Sequence, residues 1–127
     1  MLKIIESLKF TFLYDLIFPI FQILQTANWY LKSKSTNTPH LVKQQVIKYY
    51  RKKYGLLIFI ETGTYLGMMV NAVKNTFSKI YTIEIDKKLY QNARRKFEEY
   101  KHINVLFGDS SKILPELLKK IGKPCLF

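Results

Sequence analysis

Sulfur and imidazole are scarce in this 127-residue chain, which holds one cysteine, Cys125, and two histidines. A lone thiol cannot form an internal disulfide, and its reduced state fits a cytoplasmic setting. Without a Cys/His cluster, a structural zinc site is excluded and no metal is expected. Acidic residues are also few. Nine Asp and Glu stand against 21 Lys and Arg, a net charge of +12. Such an excess admits a nucleic-acid binder or a protein of anionic membrane surfaces. The densest cluster is Lys43, Lys48, Arg51, Lys52 and Lys53. It comes with neither the aromatic-and-glycine strand signature of an RNA-binding sheet nor zinc-finger spacing, so nucleic acid is disfavoured. The charge reads first as a solvated basic face, with an anionic membrane surface as the second reading.

What is present suits a globular body: 48% hydrophobic and 24% charged residues exclude disorder for most of the chain. One domain of this length buries roughly two-thirds of its unfolded surface. Residues 1–36 separate from residues 37–127 by composition. From Phe10 to Leu31 the chain is mostly Phe, Leu and Ile, interrupted by Asp15, Pro19, Gln22, Gln25 and Asn28. This predicts a hydrophobic helix. Asp15 and Pro19 are poorly placed for a membrane span, which wants about 20 apolar residues. No small-residue cleavage site follows, so a signal peptide is also a poor fit. Packing on a protein surface and lying in a membrane interface both remain open for residues 1–31. The polar stretch 33–38 reads as a linker.

Thr38-Pro39 then opens a helix, with Thr38 as cap and Pro39 in the first turn, and Gly55 ends it. Beyond Gly55 the period changes. Leu56–Ile60 is a continuous apolar run, the mark of a strand buried on both faces. A glycine turn leads to a helix carrying Met69, Val70, Val73 and Phe77. Ile80–Ile85 is a second strand, and Asp86 caps a helix bearing Leu89, Ala93, Phe97 and Tyr100. Ile103–Phe107 is a third strand. Ser110 or Ser111 starts a further helix that Gly122 stops, and Cys125–Phe127 resembles the opening of a fourth strand. This βαβ alternation predicts right-handed crossovers and a parallel sheet covered by helices on both faces.

In such sheets ligands bind beyond the carboxyl ends of the strands. Three stretches occupy those ends. After strand one comes Glu61-Thr62-Gly63-Thr64-Tyr65-Leu66-Gly67, where Gly63 permits a positive φ and close backbone approach by a ligand. Glu84 ends strand two, 21 residues after Gly63, a distance at which an acid can accept hydrogen bonds from both ribose hydroxyls. Gly108-Asp109-Ser110 follows strand three; Asp109 can accept from an exocyclic amine, or simply cap the next helix.

At these residues the sequence resembles the class I S-adenosylmethionine-dependent methyltransferases, over residues 39–127. Their acid-x-Gly-x-x-x-Gly turn is similar to Glu61–Gly67. Their strand-two acid resembles Glu84, and Gly-Asp-Ser after strand three resembles residues 108–110. The opening Pro39-His40-Leu41-Val42-Lys43-Gln44 resembles a poorly characterised bacterial subgroup of that family. The resemblance implies a Rossmann-like, doubly wound α/β fold preceded by the N-terminal hydrophobic helix, with S-adenosyl-L-methionine as cofactor. By the same resemblance Gly63, Thr64 and Gly67 line its methionine end, with Glu61 and Tyr65 also among the cofactor-binding residues. Glu84 and Ile85 then hold the ribose side, and Asp109 and Ser110 border the adenine. A nicotinamide dinucleotide fold is the weaker fit, because Thr64-Tyr65 do not supply Gly-x-Gly-x-x-Gly.

The family's strand order, 3-2-1-4-5, would put strand one beside strand four. The chain is then expected to be truncated early in strand four, with substrate-choosing and catalytic residues beyond it and an unknown methyl acceptor. Leu56–Ile60 would have only Cys125–Phe127 on one side, which predicts self-association. His40 and His102 precede strands one and three, at the end of the sheet away from the site. A non-catalytic nucleotide-binding module and a membrane-associated interaction protein are the rival readings.

Overall fold

The computed structural model of the chain describes residues 12–32 and 38–127. These fall into two compact units, one up to Gln45 and one running Val46–Phe127. Most of the linker 33–38, and the boundary expected at residue 36, lie outside the described residues.

In the first unit, helix α1 spans Phe12–Leu31 and contains Pro19. It is the hydrophobic helix expected from the sequence; Phe10 and Thr11 lie outside the described residues. Helix α2 follows over His40–Tyr54 and runs on into the second unit. Its first intrahelical bond runs from the Lys43 N–H to the Pro39 carbonyl. Pro39 therefore occupies the capping position, one residue later than the Thr38 cap read from the sequence. A proline is tolerated there because no helical partner is lost.

The second unit holds a parallel sheet in the order β1-β2-β3, with β1 at Ile58–Thr62, β2 at Lys79–Glu84 and β3 at Ile103–Phe107. Ile58 pairs with Lys79 and Ile80 with Ile103, so the three carboxyl ends finish together. Strand β1 starts two residues later than Leu56 and runs on through Glu61 and Thr62. The reason lies in how α2 stops. Gly55 takes a left-handed φ of 62°, and the Leu56 N–H returns to the Arg51 carbonyl at 3.0 Å. That helix-closing bond takes Leu56 out of the ladder. Strand β2 likewise ends at Glu84, leaving Ile85 outside it and exposed.

The alternation of side chains along the strands divides the core between two faces. Phe59, Ile80 and Ile103 pack with Val70, Val73, Ala93 and Phe97 on one face. Ile60 and Ile83 meet Leu117 on the other. Helices α3 (Met68–Val73) and α4 (Lys87–Phe97) thus cover one face, and α5 (Ser110–Ile121) covers the opposite one. This is the α/β arrangement expected. Two helices are shorter than their apolar patterns suggest. Helix α3 closes at Val73, and Phe77 reaches the core from the following turn by stacking on Phe59. Helix α4 closes at Phe97, and Tyr100 packs from beyond it. The segment read as a fourth strand makes one parallel bridge, Leu126 beside Phe59, on the edge of β1 away from β2.

Candidate functional site

The three strand ends converge on Glu84. Its backbone carbonyl accepts the Gly108 N–H at 2.9 Å, which anchors the turn after β3. One carboxylate oxygen accepts the Tyr65 N–H at 2.8 Å, anchoring the glycine turn after β1. The other accepts the Asp86 N–H at 2.9 Å, fixing the start of α4. Only 5% of Glu84 is exposed. A carboxylate so enclosed is stable as an ion only with donors of this kind.

The glycine turn is shaped by left-handed backbone at three of its positions: Gly63 at φ 79°, Tyr65 at 50° and Gly67 at 68°. The Gly63 N–H bonds the Ile83 carbonyl at 2.8 Å, which lays the turn across the end of β2. Nothing lies within 4 Å of where a Cβ on Gly63 would point, whereas one on Gly67 would meet the Phe97 ring at 2.7 Å. The two glycines therefore serve different ends. Gly63 leaves room over the turn, and Gly67 lets α3 approach α4.

Glu61 lies in β1 itself rather than in the turn after it. Its carboxylate accepts the hydroxyl proton of Thr82 at 3.0 Å. Thr82, fully buried, lies 2.6 Å from the Thr64 hydroxyl. Thr82 has one proton to give, so with Glu61 ionised the Thr64 hydroxyl must donate to Thr82. The pair thus ties the glycine turn to the sheet. Burial pushes the Glu61 carboxyl up to about 7, opposed by the Thr82 hydrogen bond and assisted by the Glu84 charge. Thr82 escaped the sequence reading; its signal was a hydroxyl residue among the apolar positions Ile80 and Ile83.

At the third strand end, Asp109 caps α5 by accepting the Ser111 N–H at 2.8 Å. Hydrogen bonds from Ser111, through its side chain and then its backbone, hold the Asp109 carboxyl below its usual range. Of the two roles open to Asp109, capping is the one in place; Ser110 is the first residue of α5. His102 lies just before β3, at the opposite end of the sheet, with Nε2 2.8 Å from the Lys74 carbonyl. His40 pairs with Gln22 and Gln44 in the first unit. Neither histidine joins the strand-end cluster. Among the described residues no group of three or more His, Cys, Asp or Glu is placed to hold a metal.

No protein-family model matches the sequence. Solved structures do match. A putative caffeoyl-CoA O-methyltransferase from Staphylococcus aureus superposes with a TM-score of 0.50 at 15% identity, over 84% of this chain and 53% of its own. The SAH-bound methyltransferase PaMTH1 of Podospora anserina gives 0.50 at 15% identity, over 76% and 44%. A putative O-methyltransferase from Klebsiella pneumoniae gives 0.50 at 14%, over 71% and 41%. The chain has the class I methyltransferase fold. It spans about half the length, or less, of these three methyltransferases.

In that Rossmann-like methyltransferase frame the cluster around Glu84 sits where ligands of parallel α/β sheets bind. An ionised carboxylate offers about four acceptor positions. Among the described residues Tyr65 and Asp86 take one on each oxygen of Glu84, which leaves one on each, a match for two neighbouring hydroxyls. Ile85, directly beyond, is 67% exposed and offers an apolar face. With the open space over Gly63, these residues fit a nucleoside whose ribose rests on Glu84.

Proposed function

We propose that this chain binds S-adenosyl-L-methionine at the carboxyl ends of β1–β3, as the cofactor-binding part of a methyltransferase. The carrying observation is Glu84, a buried carboxylate with one acceptor position left on each oxygen. Glu84 would take the two ribose hydroxyls, Ile85 would lie beside the base, and the Gly63–Gly67 turn would admit the methionine end. With Glu61 ionised, the Thr64 hydroxyl gives its proton to Thr82 and presents its oxygen lone pairs as acceptors along that turn. Bound there, the cofactor supplies an electrophilic methyl group on a sulfonium. Catalysis further requires a nucleophile aligned with that methyl and a base for its proton; the acceptor that brings the nucleophile completes the proposed enzyme.

Calorimetric titration with S-adenosylmethionine and S-adenosylhomocysteine tests the reading. Glu84→Ala should weaken binding by roughly 1.5–3 kcal/mol, the scale of hydrogen bonds to a charged group. An analogue without the ribose 2′-hydroxyl separates contact from scaffolding. It should bind the wild-type chain more weakly than the parent ligand does, while the Glu84→Ala chain should barely distinguish the two. Equal discrimination by both chains would remove Glu84 from the ribose.

A further inference from the structure

Helix α1 leaves its aliphatic side open to solvent. Among its described side chains Gln22 is the buried one, 7% exposed. Its amide lies 3.0 Å from His40 Nδ1, and its carbonyl accepts the Thr26 hydroxyl at 2.8 Å. Leu16, Ile17, Ile20, Phe21, Ile23 and Leu24 are each more than half exposed. At about 100° per residue these six fall on one contiguous half of the helix, and Gln22, Gln25 and Thr26 on the other. A surface helix normally buries the apolar half. Here that half is open, and Gln22 with the half-buried Phe18, Thr26 and Trp29 faces inward.

We infer that the apolar face of α1 rests in the surface of an anionic membrane. No helix among the described residues is long and apolar enough to cross a bilayer, which leaves the interface as the lipid site. Residues 16–31 contain no charged side chain, and Lys32 follows at once, so no charge on this face opposes entry to the acyl boundary. Tyr30, exposed at the helix end with the half-buried Trp29 edge to face 5.1 Å away, is of a residue type that favours the headgroup level. A net charge of +12 draws the chain to anionic lipid. The same charge opposes covering the face with a second copy, since each copy repels the other. In the second unit, α2 adds a separate patch of interfacial chemistry. Tyr49 and Tyr54 are exposed, with the Lys53 ammonium 5.7 Å and 5.3 Å from their ring centres.

The full chain, mixed with phosphatidylcholine vesicles with and without phosphatidylglycerol, tests the inference by co-sedimentation. The single tryptophan, Trp29, gives a second readout through its emission. Binding should be roughly tenfold or more stronger to the anionic vesicles, weaken as salt rises, and shift Trp29 emission to the blue. Replacing both Ile20 and Leu24 by Asp should lower binding about tenfold or more with far-ultraviolet dichroism unchanged, while Ile20→Val should bind as wild type. Equal binding by the Asp variant, or no binding by the wild-type chain, would overturn the inference. So would a lipid-free dimer that the Asp pair dissolves, which would give the face to a second copy.

Discussion

Glu61 and Glu84 are two carboxylates on neighbouring strands with opposite surroundings. Glu84 has two backbone donors, whereas Glu61 has a single hydroxyl. Burial raises Glu61 from 4.5 to about 7, a displacement equivalent to about 3 kcal/mol. Between those values the folded chain holds a proton that the unfolded chain has released. Stability therefore falls as pH rises from about 4.5 to 7 and is flat on either side of that window. Denaturant titrations at pH 5 and pH 8 should show a loss on the order of 2–3 kcal/mol in the wild-type chain relative to Glu61→Gln. Gln still accepts from Thr82 but does not titrate. Identical pH profiles in the two proteins would mean that Glu61 is solvated. The acid at position 61 was legible in the sequence as part of a motif. Its protonation was not, because that depends on Thr82, Glu84 and the depth of the strand end.

The glycine turn and the helices it joins illustrate how a motif is reused for packing. Gly63 and Gly67 look alike in the sequence, and both have positive φ. Only Gly67 has a ring against it. Gly67→Ala should destabilise the domain by roughly 2–4 kcal/mol, from left-handed backbone strain plus a methyl forced onto Phe97. Gly63→Ala should cost only the strain, roughly 1–2 kcal/mol. Thermal or urea unfolding of the pair ranks them, and equal losses would show that the Phe97 ring moves aside freely. The strand and helix periods placed β3 at its observed bounds and gave every helix of the second unit its starting region. They misplaced ends. Phe77 and Tyr100 continue the apolar spacing of α3 and α4, yet each follows the last helical residue. An apolar side chain can reach the same core from a turn, and periodicity alone does not separate the two cases.

Across the whole sheet, β1 is flanked by β2 on one side and by a single bridge on the other. Leu126 makes both bonds of that bridge: its carbonyl accepts from the Ile60 N–H and its N–H donates to the Ile58 carbonyl, each at 2.9 Å. Leu126→Pro removes the donor and leaves the Ile58 carbonyl unpaired. The variant should lose about 1–3 kcal/mol and sediment with a larger self-associated fraction than wild type, since more of an apolar strand edge is open. An unchanged sedimentation profile would show that the edge of β1 is protected by other means. What the sequence determined by itself was the succession of strands and helices, the two-faced sheet and the acid or glycine turn at each strand end. Period, breakers and caps act over a few residues and are written locally. Tertiary structure alone decided that Glu84 gathers all three turns and that Thr82 links Glu61 to Thr64. It alone turned Gln22 of α1 inward and left the aliphatic side open. Each of these depends on which groups compete for the same donors and the same buried space once distant segments meet, and no local pattern carries that information.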